Sequence, residues 1–248
     1  MSISLILPIY NEIKNLQKGV LDKVLNFAKR HKDIKEVLVV DDGSSDDSIK
    51  IIRNEYLGKY PKLKLITKEH SGKAFSLIRG IEEASSQFVL FSDIDLATPI
   101  EEADKLLSFA PNYQIVIGSR SSRREGAPIF RKIMALGMII IRSYIIGLKN
   151  IHDTQCGFKL FERTAALKII SNLRVFKKAK IIAGSSVSAG FDLEFLFVAQ
   201  RLGYKIKEIG VIWRHVETKN VNFVKDSLES LTDILKIKWF TLTHKYDF

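Results

Sequence analysis

Asp93 and Asp95, in the run Phe88-Val-Leu-Phe-Ser-Asp-Ile-Asp95, stand one residue apart at the end of an apolar stretch. Two carboxylates in that setting are costly to desolvate unless a positive group holds them. A divalent cation does so with the oxygen ligands it prefers. A second acidic pair, Asp41 and Asp42, closes the run Glu36-Val-Leu-Val-Val-Asp-Asp-Gly43. Open α/β sheets bind ligands beyond the carboxyl ends of their strands, so the two pairs predict a nucleotide pocket beside a metal-held phosphate site. Alternation along a strand would set Asp93 and Asp95 on one face, where a single ion bridges them. The competing reading is a cap for the helix at Pro99-Ile-Glu-Glu-Ala103. Thr98 fills that place more naturally, which leaves the two aspartates to the metal.

Pro8-Ile-Tyr-Asn-Glu12 follows the first apolar run, and Asp41-Asp-Gly-Ser-Ser-Asp46 follows the second. Either segment alone reads as turns and helix caps, because Asn, Asp, Gly and Ser are ordinary turn residues. On consecutive strands they make a site, with a carboxylate accepting from a ring N–H of a uracil-type base and Tyr10 as a wall. Arg120, Arg123, Arg124, Arg131 and Lys132 form a basic cluster opposed within its segment by Glu125. Guanidinium forks match phosphate geometry. Arg120 ends a strand and Arg131 opens an apolar helix, so these two are placed to act, while Arg123 and Arg124 read as a solvated face. Histidines 31, 70, 152, 215 and 244 lack metal-ligand spacing, and Cys156 reads as a buried structural thiol. Neither a phosphate-loop nor a dinucleotide fingerprint is present, which weighs against kinases, GTPases and dehydrogenases.

The elements that must position these residues alternate. Strands are predicted at 3–8, 36–41, 64–67, 88–93, 115–119, 157–161 and 206–213. Helical spacing recurs through Leu16, Val20, Val24 and Phe27 and over 46–57, 73–84, 163–173, 191–202 and 223–242. Such alternation predicts βαβ units and a mainly parallel sheet flanked by helices. Segment 120–131 reads as a loop. The apolar stretch 133–148 is 16 residues long and interrupted by Arg142, short of the roughly 20 that cross a bilayer. It is either a buried or an interfacial helix.

The chain has 248 residues, 46% of them hydrophobic and 27% charged, a composition that folds. One cysteine allows no intrachain disulfide and fits a reducing compartment. The opening residues enter a strand pattern directly, so no secretory signal is expected. The net charge is +11, from 39 basic and 28 acidic residues. Residues 1–100 carry 15 and 14 of these, leaving 24 and 14 to the remainder. A basic second half predicts an anionic partner, whether nucleic acid, a phosphorylated acceptor or an anionic membrane surface.

In chain order, Pro8-Ile-Tyr-Asn-Glu12, Asp41-Asp-Gly-Ser-Ser-Asp46, Asp93-Ile-Asp95, Gly118-Ser-Arg120 and Asp153-Thr-Gln-Cys-Gly-Phe-Lys159 resemble a family 2 inverting glycosyltransferase of the GT-A fold. The resemblance covers about residues 3–215. Asp93-Ile-Asp-Leu-Ala-Thr-Pro99 and Asp153-Thr-Gln-Cys-Gly-Phe-Lys159 resemble its dolichyl-phosphate β-glucosyltransferase branch. Related polyprenyl-phosphate mannosyltransferases often place a Gln metal ligand where this chain has Ala97. Eukaryotic glucosyl enzymes usually carry an N-terminal membrane helix, a pattern not seen here. The resemblance implies that Pro8, Tyr10, Glu12, Asp41 and Asp42 hold the nucleotide. Asp93 would serve the ribose or sugar–metal region, and Asp95 would be the main ligand for Mg²⁺ or Mn²⁺. Arg120 and Arg131 would grip an acceptor phosphate, and Asp153, Gln155 and Asp192 would line the sugar or acceptor pocket.

The expected protein is therefore a GT-A domain over 1–220 with a C-terminal amphipathic helical extension over 221–248. It would move a hexose, glucose first, from a nucleotide diphosphate sugar such as UDP-glucose to a polyprenyl or dolichyl phosphate. Its expected location is cytoplasmic, peripheral at the membrane face, with no nucleic-acid partner. Two alternatives stay open. Transfer to a sugar hydroxyl would need a base such as Asp192 or Asp153, because a hydroxyl is not ionised at neutral pH. A basic nucleic-acid-binding protein is the other, although its strand-end carboxylates would repel phosphates.

Overall fold

A computed structural model of the chain describes residues 1–120, 137, 141, 143–148, 150–177, 189–214, 216, 223–246 and 248. Seven strands form one sheet: β1 (Ile3–Ile9), β2 (Ile34–Asp41), β3 (Leu63–Thr67), β4 (Phe88–Ser92), β5 (Ile115–Ser119), β6 (Phe158–Glu162) and β7 (Ile206–Gly210), in the order β3-β2-β1-β4-β6-β5-β7. Every pairing is parallel except those of β6, which runs antiparallel to both β4 and β5. The carboxyl ends of β1, β2, β3, β4, β5 and β7 therefore share one edge of the sheet. The reversed β6 brings its amino end, and the Asp153–Gly157 segment before it, to that same edge. The strand order turns back at β1, between β2 and β4, which is where open α/β sheets leave a ligand crevice.

The described helices are α1 (Ile13–Gln17), α2 (Val20–Arg30), α3 (Ser48–Ile51), α4 (Lys73–Glu83), α5 (Ala103–Leu107), α6 (Arg163–Asn172), α7 (Ala189–Arg201) and α8 (Phe223–Leu242). Strand alternation divides the core between two faces. Leu5, Leu7, Val37, Val39 and Leu90 pack with Leu21, Val24 and Leu25 of α2 and with Leu106 of α5. Ile6, Leu38, Val40, Val89 and Phe91 pack with Leu77 and Ile81 of α4, Ile169 of α6 and Leu196 of α7. Ile234 and Ile237 of α8 are fully buried in this second cluster. The helix expected as an extension beyond residue 220 thus shares the core.

Several boundaries differ from expectation, each for a local reason. The helical spacing from Leu16 to Phe27 is broken at Gly19, whose φ of +67° turns the chain between α1 and α2. The predicted helix 46–57 is α3 continued by a π-helical turn, Ile52–Tyr56. β7 stops at Gly210, short of the predicted Trp213. Thr98 makes no capping bond, since the 3₁₀ turn Ile100–Glu102 begins from Pro99. β4 stops at Ser92, so Asp93 and Asp95 lie in the turn beyond it and strand alternation does not orient them. Most of segment 120–131, much of 133–148, His215 and the predicted site residue Arg131 lie outside the described residues. Within 133–148, Ile141 and Ile145 pack against the core, Ile146 and Leu148 are buried, and Tyr144 is 86% exposed.

Candidate active site

The loop after β1 and the loop after β2 are knitted together. Asn11, at φ +54°, accepts the N–H groups of Ser45 (2.8 Å) and Asp46 (3.2 Å) through Oδ1. Its own N–H donates to Ser44 Oγ at 2.9 Å, and the Glu12 N–H donates to Ser48 Oγ at 2.9 Å. Glu12 Oε2 accepts from Asn15 Nδ2 at 2.7 Å. Pro8, paired with Val40 of β2, is buried. It lies beyond the last β1–β4 pair, Ile6–Phe91, where its missing N–H leaves no gap in that ladder. Tyr10 stacks on His70, with ring centroids 4.1 Å apart and planes 9° from parallel.

Asp41 and Asp42 do different work. Asp41 is fully buried, and its oxygens accept the N–H groups of Gly43 (3.0 Å) and Ser44 (3.1 Å). Gly43, at φ +76°, makes that turn possible. Asp42 faces the β3–α4 loop. It pairs with Lys68, accepts from the Ser71 N–H at 3.0 Å and the Gly72 N–H at 2.8 Å, and meets His70 Nδ1 at 2.8 Å. Burial would raise its pKa, yet Lys68 and the two N–H groups hold it below the usual carboxylate range. Asp42 thereby fixes the loop that delivers Lys73, the first residue of α4.

Lys73 Nζ makes an ion pair with Asp93 Oδ1. This basic partner comes from twenty residues upstream, and only the fold brings it to the acid pair. Burial disfavours the charge on Lys73, but Asp93, and behind it Asp192 and Asp95, raise its pKa. Asp95 accepts the Ala97 N–H at 3.0 Å. Burial pushes its carboxyl above the usual value; the Ala97 N–H opposes this, the Asp93 charge adds to it and Lys73 offsets part. The Asp93 N–H donates to Gly157 O at 3.1 Å, and a Cβ at Gly157 would collide with the Asp93 carboxylate. That close approach explains the glycine in the Thr-Gln-Cys-Gly segment.

Arg120 lies next along the edge. Its Nε and Nη2 donate to Asp153 Oδ2 and Oδ1 at 2.7 and 2.8 Å, and its backbone N–H donates to Oδ2 at 2.9 Å. Burial would raise the Asp153 pKa, but Arg120 outweighs it and holds the carboxylate ionised. Glu208 of β7 accepts the N–H groups of His152 (2.7 Å) and Asp153 (2.8 Å), which fixes the segment from the far side. The Arg120 guanidinium sits 5.9 Å from the Trp213 ring centre, and Trp213 lines a small depression with Ser92, Asp93, Ala97, Thr98 and Gly157. Gln155 is exposed. Asp192 Oδ1 accepts from Lys159 Nζ at 2.8 Å, and Lys159, itself buried, also donates to Cys156 O at 2.6 Å. Burial, with Asp153 adding, pushes the Cys156 thiol up to about 11, so it stays protonated.

The structure therefore brings Asp93, Asp95, Arg120, Asp153 and Asp192 to one edge and adds Lys73, Lys159 and Trp213, which sequence reasoning left unassigned. Lys73 did carry a signal, as a cation directly after a turn glycine at a helix start. Among the described residues no group of three or more His, Cys, Asp or Glu is arranged as a metal cage. Two neighbouring carboxylates still suit an ion that takes the rest of its shell from donor phosphates, the usual mode for Mg²⁺.

A doubly flanked sheet with acid-tipped loops at its topological switch point is the plan of a GT-A domain. Residues 4–170 match Glycosyl transferase family 2, and the chain belongs to that family. It is 33% identical over 254 residues to a dolichyl-phosphate beta-glucosyltransferase of Trichomonas vaginalis, covering 96% of this chain and 73% of the relative. It is 32% identical over 260 residues to the human dolichyl-phosphate beta-glucosyltransferase, covering 97% and 76%. Among solved structures, glucosyl-3-phosphoglycerate synthase of Mycobacterium tuberculosis, crystallised with Mn²⁺, UDP-glucose and glycerol 3-phosphate, superposes with a TM-score of 0.67 at 18% identity, over 96% of this chain and 80% of that one. Mannosyl-3-phosphoglycerate synthase of Rubrobacter xylanophilus gives 0.64 at 14% identity, over 100% and 76%. At these identities the structural likeness is one of fold.

Proposed function

We propose that this chain transfers glucose, with inversion, from UDP-glucose to a polyprenyl or dolichyl phosphate, using Mg²⁺ or Mn²⁺. The observation that carries the reading is the Asp93–Asp95 turn beside the Arg120–Asp153 pair at one sheet edge, in a chain whose relatives are named for dolichyl-phosphate glucosylation. In this reading the β1 and β2 loops, with Pro8, Tyr10, Glu12, Asp41 and Asp42, form the nucleotide pocket. Asp41 and Asp42 shape it from within, since backbone N–H groups already occupy their oxygens. Asp93 and Asp95 would hold the ion, which supplies charge neutralisation for the departing diphosphate.

The acceptor phosphate oxygen attacks the sugar C1 from the face opposite the diphosphate, and the C1–O bond to the diphosphate breaks. A phosphate with a second pKa near ~6 is already largely ionised at neutral pH, so it needs positioning more than a base. Asp192, with one oxygen engaged by Lys159, suits such a reaction better than one requiring it to take a proton. Arg120, and Arg131 outside the described residues, are the guanidinium groups assigned to the acceptor side.

A lipid acceptor calls for a surface, and α8 supports one. Leu235, Trp239 and Leu242 of α8 are 54, 61 and 62% exposed at spacings of four and three residues, on the side opposite the buried Ile234 and Ile237. No described helix is long and apolar enough to cross a membrane; the exposed face of α8 is what supports peripheral attachment at the cytoplasmic face. The deciding experiment is a panel of nucleotide sugars with Mn²⁺, scored for transfer to polyprenyl phosphate and to sugar hydroxyls. UDP-glucose with the lipid phosphate should be the best pair. Preferential transfer to a hydroxyl acceptor would overturn the reading.

A further inference from the structure

Lys73 is ion-paired with Asp93, one of the two carboxylates read above as ligands for the divalent ion. Lys73 and Asp93 are 39 and 33% exposed at their side chains, so the pair sits at the mouth of the site and can open. The Lys73 backbone is held by the loop that Asp42 fixes through Ser71 and Gly72, which leaves the four-carbon side chain as the part able to swing. Lys159, another cation at this edge, cannot exchange in this way. It is 2% exposed and committed to Asp192 and Cys156.

We propose that Lys73 is a resident counter-ion of Asp93 that the divalent ion must displace, and that it takes the donor diphosphate as its partner in exchange. The inference rests on the reading of Asp93 and Asp95 as metal ligands. An ammonium group and a divalent ion repel when both are held against one carboxylate. Metal entering alone therefore leaves Lys73 without a counter-charge beside a dication. A diphosphate entering with the metal offers both cations anionic oxygens. Metal and donor then strengthen each other's binding, and by linkage the effect is the same in either direction. Lys73 acts on the metal through Asp93, as a positioning residue that makes metal entry depend on donor.

The test is titration calorimetry of Mn²⁺ into the full chain, with and without UDP, on the parent, Lys73→Met, Lys73→Arg and Asp95→Asn. Removing one unit charge at contact distance should strengthen Mn²⁺ binding without UDP by roughly tenfold. The gain in Mn²⁺ affinity brought by UDP should shrink by about the same factor, while Lys73→Arg behaves as the parent. Lys73→Gln carries the test if the methionine variant does not fold. Unchanged or weaker Mn²⁺ binding in a charge-removed variant of parental melting temperature overturns the proposal, as does a parent protein in which UDP leaves Mn²⁺ affinity unaltered. Loss of Mn²⁺ binding in Asp95→Asn, with the lysine variants unchanged, sinks the Lys73 role and spares the metal reading. Mn²⁺ binding indifferent to Asp95→Asn sinks both.

Discussion

Arg120 and Asp153 meet fork to fork, with Nε–Oδ2 at 2.7 Å and Nη2–Oδ1 at 2.8 Å, joining the end of β5 to the segment before β6. Asp153 is 3% exposed, so neither charge is easily returned to water if the other is removed. Asp153→Asn should therefore cost about 2–4 kcal/mol of stability. Urea unfolding should show a lower midpoint at an unchanged slope. A midpoint equal to the parent's would mean that the pair is not closed in solution.

Asp95→Asn should behave in the opposite way, with stability kept and turnover lost. Burial and the neighbouring Asp93 already disfavour the Asp95 charge, so an amide fits the folded chain without penalty. Loss of a metal-held phosphate contact should lower transfer by roughly 100-fold or more. Activity near the parent level, or parent activity indifferent to a chelator, would remove Asp95 from the metal site.

Much of this was legible in the sequence because strands buried on both faces read as apolar runs, and the acids that end β2 and follow β4 stand out against them. Asp93 and Asp95 were found that way. What the sequence withheld was partnership. Lys73 meets Asp93 only because β3 and α4 fold back beside β4, and Lys159 meets Asp192 across 33 residues. β6 runs antiparallel between two parallel neighbours, a placement that no local pattern announces. That reversal sets Asp153 against Arg120 and Gly157 against Asp93. The strand predicted over 88–93 overruns β4 by one residue, because Ser92 and the residues before it are uniformly apolar or small and nothing marks the last ladder bond.

Glu36 gives a pH prediction away from the site. It is 3% exposed, and its oxygens meet Ser4 Oγ (2.6 Å), Lys64 Nζ (2.6 Å) and the Ser85 N–H (2.7 Å). Burial alone would raise its pKa, but these partners lower it from 4.5 to about 2. A depressed folded-state value means stability that is present above pH 4.5 and lost as pH falls toward 2. Its size at neutral pH is on the order of 3 kcal/mol. The stability gap between parent and Glu36→Gln, measured by urea unfolding, should narrow across that window. A gap that does not change with pH would show that the carboxylate charge plays no part.

Vesicle binding tests the surface reading. The chain should co-sediment more with anionic than with neutral vesicles, and salt should weaken the binding. Trp239→Ser with Leu242→Ser should reduce it, because both side chains are more than 60% exposed on one side of α8. Equal binding to both vesicle types, unaffected by these changes, would point to a soluble acceptor.

The nature of the acceptor turns on Asp192 and Arg131. Asp192 Oδ1 accepts from Lys159 Nζ at 2.8 Å, so one of its oxygens is engaged in the resting fold. If the acceptor is an ionised phosphate, Asp192→Asn should slow transfer by no more than about tenfold, because no proton has to be removed. Arg131→Ala should then cripple transfer to polyprenyl phosphate while sparing slow hydrolysis of the donor by water. Loss of a charge-assisted contact of about 2–4 kcal/mol corresponds to a drop of roughly 30- to 1,000-fold. Steady-state rates for transfer and for hydrolysis, measured on both variants, separate the two chemistries. A hydroxyl acceptor would reverse the pattern, with Asp192→Asn the crippling change and Arg131→Ala nearly silent, and the lipid-phosphate reading would fall.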